Sequence, residues 1–234
     1  MKHRVLGLSL VTIATLGLSG CSFLKSTWSH GPTVRGSGVM KTVTLPFKSA
    51  DIKTLDLSGA IRVEADPTIK DVTFETDDNL VSSIKFTLIG GVLRSEQTQN
   101  SISQTKALLK LSPEALESIQ LSGACSGHIK GLDRKNQFKV ELSGATKLEI
   151  EGFTQDLSVK ASGASQFSSS PQKNAYVQLM ASGASSIVVP GTMSGSADAS
   201  GASKIRLGKA IGKISSNSTG ASSIEEDGVK IQSP

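Results

Sequence analysis

Six times the chain writes Ser-Gly-Ala, at Ser58, Ser122, Ser143, Ser162, Ser182 and Ser200, and once Thr-Gly-Ala, at Thr219. From Ser122 onward the steps are 21, 19, 20, 18 and 19 residues. A unit of about 20 residues is too short to bury its own apolar face, so it must stack on its neighbours. That restricts the fold to a solenoid.

The residues around each tripeptide define the unit. Counting back from the Ser or Thr, positions minus one and minus three hold Leu57 and Leu55, Leu121 and Ile119, and Leu142 and Val140. The next pairs are Ala161 and Val159, Ala181 and Leu179, Ala199 and Ala197, then Ser218 and Ser216. Counting forward, plus five and plus seven hold Val63 and Ala65, Leu148 and Ile150, Ile187 and Val189, and Ile205 and Leu207. A spacing of two marks one face of a strand. Each unit therefore reads as strand, SGA corner, strand. Glycine supplies backbone angles that a Cβ forbids, and Ser can hydrogen-bond the local backbone. Position plus three holds Cys125, Thr146, Ser165, Ser185, Ser203 and Ser222, a stack of small residues in which Cys125 reads as structural. The inward residues shrink toward the C-terminus, which suggests a narrowing coil closed by the polar Glu225, Glu226 and Asp227.

The fold class is thus all-β: a parallel β-helix or β-solenoid with SGA corners over 116–228, preceded by a more irregular β region over 39–115. Gly90-Gly91 reads as a hairpin turn. Pro113 interrupts an otherwise helix-like composition at 106–119. A strand is expected to end near Leu111, a turn to follow at Ser112–Ala115, and a new strand to lead to Leu121. Residues 229–234 read as a tail.

The N-terminus follows a different logic. Lys2 and Arg4 precede an apolar run, and Leu18-Ser19-Gly20-Cys21 follows. This is the layout of a secretory signal over 1–20, and the run is too short for a membrane span. LSGC resembles the lipobox of bacterial lipoproteins, which implies lipidation of Cys21 and removal of the signal. Ser22, rather than Asp, implies outer-membrane sorting if the cell is Gram-negative. Removing 20 of 234 residues leaves 214 and lowers the net charge from +5 to +3. Residues 21–38 read as a tether, with Trp28 and His30 in it.

With these repeats and strands in hand, the chain resembles the bacterial head (GIN) domain family of auto-transporter adhesins. The resemblance rests on Phe-x-x-Ala-Asp-Ile at Phe47–Ile52, the strand–SGA–strand unit at 53–66, and DDNLVSSI at Asp77–Ile84. Leu-x-x-Ile-x-Leu-Ser-Gly-Ala at Leu116–Ala124 and the SGA series complete it, covering about 45 to 225. The turns carry SGA where family members often carry GSG. The resemblance implies an all-β, two-part fold with β-helix character on secreted or anchored envelope proteins. It suggests adhesion and supplies no catalytic residues to transfer.

Chemistry is sparse. No dense basic run supports nucleic-acid binding, and no cofactor motif is present. Glu141, Lys160, Met180 and Asp198 hold the minus-two place of four consecutive coils, and Asn217 ends the row. Glu141 and Asp198 would stand roughly 14 Å apart at the usual strand spacing, too far for paired acid–base work. Glu149 and Glu151 flank the inward Ile150, with no basic residue clearly aimed at them. His128 shares a coil with Ser126, with no carboxylate fixed to orient it. No metal-ligand cluster is apparent, since His3 leaves with the signal and His30 lies far from His128 in sequence. The expectation is a non-catalytic, lipid-anchored envelope module for binding, adhesion or scaffolding. Its membrane contact would be the lipid on Cys21. Lys147, Gln166 and Lys204 on the corner row would be the binding residues, and a glycan or an envelope protein the partner. The alternatives are a polysaccharide-active β-helix enzyme and an accessory subunit of an envelope complex.

Overall fold

In a computed structural model, which describes residues 34–98, 102–103, 106–170 and 174–231, two long parallel ladders meet along a column of corners. The described residues belong to one compact unit, Gly31–Pro234. The expectations for Cys21, the signal over 1–20, Trp28 and His30 lie outside the described residues. The first ladder stacks Val92–Gln97, Thr54–Leu57, Ser118–Leu121, then the ends of Ser126–Leu142 and Lys147–Ala161. Asn174–Ala181, Thr192–Ala199 and Ile214–Ser218 continue it. The second stacks Ala107–Leu111, Arg62–Ala65, then the starts of Ser126–Leu142 and Lys147–Ala161. Gln166–Ser169, Ser186–Val189, Lys204–Leu207 and Ser223–Glu226 continue it.

The corner explains the repeat. Gly59, Gly123, Gly144, Gly163, Gly183, Gly201 and Gly220 all have φ between +71° and +94°, where a side chain is strained. From Gly123 onward each also sits against the corner before it. A Cβ on Gly144 would lie 2.5 Å from the Gly123 carbonyl oxygen, and one on Gly163 2.8 Å from that of Gly144. The following alanine N–H bonds that same oxygen: Ala124 to Gly59 at 2.6 Å, Ala145 to Gly123 at 2.7 Å, and Ala164 to Gly144 at 2.8 Å. The alanine methyls are exposed; the corner uses the N–H.

Below the corner, the plus-three residues are buried, as Cys125, Thr146, Ser165, Ser185, Ser203 and Ser222. The Ser185, Ser203 and Ser222 hydroxyls donate to the carbonyls of Ala161, Ala181 and Ala199 on the preceding coil at 3.0–3.1 Å. Cys125 is buried with its Sγ 3.8 Å from the Leu57 carbonyl, and burial pushes its thiol pKa up. The inward rows, from Leu55 and Leu57 through Val140, Val159 and Leu179 to Ile224, form one continuous core. On the last rung of the first ladder, Ile214, Ser216 and Ser218 are half-buried.

The longest gap in the SGA series, between Ser58 and Ser122, has a topological cause. The Gly59 coil pairs directly with the Gly123 coil. On its other side lie Val92–Gln97 and Ala107–Leu111, which the chain forms only after leaving the Gly59 coil. Thr73–Asp77 runs antiparallel to Ala107–Leu111, and Met40–Thr44 antiparallel to Thr73–Asp77. Ile84–Ile89 turns at Gly90-Gly91 to pair antiparallel with Val92–Gln97. Both hairpin glycines have positive φ, 59° and 82°, as a primed two-residue turn requires. The turn after Leu111 is present, with the Leu116 N–H on the Pro113 carbonyl at 3.1 Å. Residues 34–38, at the end of the expected tether, are tied down: Gly38 N–H bonds the buried Asp77 carboxylate at 2.8 Å, and Asn79 Nδ2 bonds Arg35 O at 2.8 Å.

At the C-terminus, Asp227-Gly228 is a hairpin turn with φ of 48° and 79°. It lays Val229–Lys230 antiparallel on Ser223–Glu226. The charges read as a polar end are therefore part of a folded cap on the second ladder, and residues 229–231 of the expected tail belong to it. The Asp-Gly pair was the available signal.

Candidate functional site

Outward residues of a strand recur at every second position, and in-register coils stack equivalent positions into rows. On the first ladder this produces one outward row: Asp56, Gln120, Glu141, Lys160, Met180, Asp198 and Asn217, each paired with the next. Beside it runs the row of corner hydroxyls, Ser122, Ser143, Ser162, Ser182, Ser200 and Thr219. Together they line a groove of about 690 Å³ that crosses the coils. The row alternates acid, amide, base and thioether. Asp56, at one end, is held by Arg94, whose Nε and Nη2 lie 2.8 and 2.7 Å from Asp56 Oδ2. Glu141 and Asp198 stand three ladder steps apart, the separation expected from the repeat. Such a surface presents many donors and acceptors at the coil interval and has no converging acid pair in reach of one bond.

Lys147, Gln166 and Lys204 also share one outward row, with Ser186 between Gln166 and Lys204. That row lies on the second ladder, across the corner from the groove, and none of the three lines it. Lys204 is bound to Glu225 of the next coil, which also meets Arg206. Lys204 Nζ holds the Glu225 carboxyl below its ordinary range, and Arg206 adds to the effect.

A further cluster corrects the expectation that nothing basic faces Glu149 and Glu151. His128 stands directly opposite Glu149 in the ladder. Its Nε2 lies 2.7 Å from Glu151 Oε1. One ligand atom from each of His128, Glu149 and Glu151 lies within 4.8 Å of the others. The signal was in the spacing, because His128 and Glu149 are 21 residues apart, the step between their SGA corners.

A second cavity of about 660 Å³ lies beside Arg134, whose Nε donates to the Leu116 carbonyl at 2.5 Å. Among the described residues, no helix is long and apolar enough to cross a membrane.

The class is a stacked-coil β-solenoid with an open groove along its first ladder, lined by polar side chains together with Leu121, Leu142, Met180 and the alanines Ala161, Ala181 and Ala199. The sequence profile described as "Putative auto-transporter adhesin, head GIN domain" matches residues 51–228, and the chain belongs to that family. No curated protein matches it. Among solved structures, the chain is similar to a "putative adhesin" from Bacteroides fragilis, with TM-score 0.59 and 17% identity over 82% of this chain and 99% of that one. It is similar to a "putative lipid binding protein" from Parabacteroides distasonis, with TM-score 0.56 and 15% identity over 83% and 99%. A "putative adhesin" from the same species gives TM-score 0.53 and 14% identity over 83% and 100%. At these identities the likeness establishes the fold alone. The family and these structures are named for adhesion or lipid binding, none for an enzymatic activity. The family name points to the cell surface or envelope.

Proposed function

We propose that this protein is a non-catalytic adhesion or binding module, held on the cell envelope by lipid at Cys21, that takes an extended polar chain into the first-ladder groove. The groove itself is the observation that carries this reading. Its Asp, Glu, Gln, Asn, Lys and Ser groups can donate to and accept from hydroxyls. They repeat at the coil interval of about 4.8 Å, which suits a polymer with a similar repeat. A glycan strand meets both conditions. The groove has no aromatic lining, so affinity comes from many weak polar contacts rather than from a few stacked sugars. Lipid on Cys21 would tie the protein to a membrane; two or three acyl chains are enough for durable anchoring.

The test uses the whole protein, purified from membranes in detergent, on an array of envelope and cell-surface glycans. Glu141→Ala, Lys160→Ala and Asp198→Ala combined should weaken binding at least about tenfold, the equivalent of ~1.4 kcal/mol. The combination Lys147→Ala, Gln166→Ala and Lys204→Ala should leave it unchanged. The reverse pattern would move the contact to the corner row chosen from sequence. Cleavage of a bound polysaccharide, lost in Glu141→Gln, would make the protein an enzyme. A stoichiometric cross-linked envelope protein would make it a subunit. Metabolic labelling with an alkynyl fatty acid, abolished by Cys21→Ser, tests the anchor separately.

A further inference from the structure

His128, Glu149 and Glu151 occupy the outer face of two adjacent coils, on the second ladder and away from the groove. Three features set them apart from an ordinary charged strand face.

The first is aim. The ladder pairs His128 with Glu149, and the buried Ile129 and Ile150 fix the two strands beneath them. Nε2 of His128 is directed at Glu151 from 2.7 Å. The second is the backbone. Pairing shifts between Ile129–Ile150 and Leu132–Gly152, so Lys130 and Gly131 together stand opposite the single residue Glu151. This is a β-bulge, a device that re-aims a side chain. The third is charge. Some outward acids of these ladders are neutralised by a fixed cation, Glu64 by Arg62 at 3.1 Å and Asp56 by Arg94 at 2.7 Å. Among the described residues, neither Glu149 nor Glu151 has a Lys or Arg within ion-pair distance. Two carboxylates therefore converge on one imidazole with no fixed cation beside them.

We propose that His128 Nε2 and one carboxylate oxygen each of Glu149 and Glu151 form a binding site for a divalent transition-metal ion. One imidazole with two carboxylates suits zinc, cobalt or manganese better than calcium, which prefers six to eight oxygens. Metal–ligand distances near 2.1 Å place tetrahedral ligands roughly 3.4 Å apart. The three atoms already lie within 4.8 Å of one another, close to that spacing. Three protein ligands leave a coordination position open to solvent, where water or an oxygen of a bound partner can sit.

The experiment uses the whole protein, stripped with chelator and then titrated with Co²⁺ or Zn²⁺. Calorimetry gives the stoichiometry and the cobalt absorption spectrum gives the geometry. The expected result is one ion per chain and an intensified d–d band, with Ca²⁺ failing to compete. His128→Ala and Glu151→Gln should each weaken affinity at least tenfold, with the circular dichroism spectrum unchanged. His30→Ala should leave binding intact, which separates this site from the histidine nearer the N-terminus. Absence of binding, or binding unchanged in a folded His128→Ala protein, would overturn the proposal. Glycan binding at the groove is read separately, so either proposal can fail alone.

Discussion

The amide of Ala145 donates to the carbonyl of Gly123 at 2.7 Å, one coil back across the corner. The same oxygen is the atom that a side chain on Gly144 would strike. One geometric relation therefore both joins successive coils and excludes every residue but glycine at the centre of the turn.

Gly144→Ala should consequently cost far more than a change of dihedral preference. Gly90, in the hairpin, also has positive φ, 59°, but a Cβ there meets nothing within 4 Å. Gly90→Ala should cost about 1–2 kcal/mol for the left-handed conformation. Gly144→Ala adds a collision with backbone and should cost at least ~3 kcal/mol. Urea unfolding of the two variants compares them. Equal losses would mean that the coils shift apart easily at the corner.

Cys125 should be chemically silent in the folded protein. Burial raises its thiol pKa, and the thiolate is the reactive form. A thiol reagent should modify Cys125 only after denaturant is added. Cys125→Ser should be tolerated to within about 1 kcal/mol, because serine fills the same row at Ser165, Ser185, Ser203 and Ser222. Fast modification under native conditions would contradict the buried placement. The same burial makes the folded thiol release its proton later than the unfolded one. Any Cys125 contribution to stability is therefore present below the unfolded thiol pKa and declines as pH rises above it.

The Lys204–Glu225 pair should give a small acid-side effect. Glu225 has its pKa lowered from the ordinary 4.5, chiefly by the hydrogen bond from Lys204. A carboxylate with a depressed folded pKa stabilises above its unfolded pKa, and that contribution disappears as pH falls through the folded value. Wild type and Glu225→Gln should therefore differ near neutral pH and converge in acid. High salt should shrink the difference, since the pair is near the surface. A gap that persists in acid would assign the effect to packing instead.

The C-terminal cap should control self-association. Val229–Lys230 covers the last strand of the second ladder, the Ile231 N–H bonds the Ile224 carbonyl at 2.9 Å, and Ile231 packs on the core. Truncation after Glu226 would expose that strand edge, and open edges template further pairing. Light scattering should show oligomers that grow with concentration, while the full chain stays at constant size. A truncated chain that scatters like the full one would show that the hairpin protects nothing.

Much of the candidate site was legible in advance. The minus-two row from Glu141 to Asn217 was set out by counting from the SGA corners, and the ladder pairs it as counted. That it forms one wall of a groove was not visible, because depth depends on how the corner serines stand beside it. The same counting aligned Lys147, Gln166 and Lys204, while their separation from the groove by the corner needed three dimensions. Along its own coil His128 has Ser126 as its neighbour in sequence, and its pairing with Glu149 lies on the next coil, 21 residues away.

By itself, the sequence determined the strand–corner–strand unit, the inward rows and the register between consecutive repeats. It could do so because neighbouring coils are also neighbours in the chain, and a fixed period then fixes which residues pair. Only the tertiary structure decided that the Gly59 coil lies between Val92–Gln97 with Ala107–Leu111 on one side and the Gly123 coil on the other. It also decided that His128, Glu149 and Glu151 come together beside a break in register opposite Glu151. Both depend on non-local strand pairing and a break in register, where burial of one continuous core overrides the order of the chain.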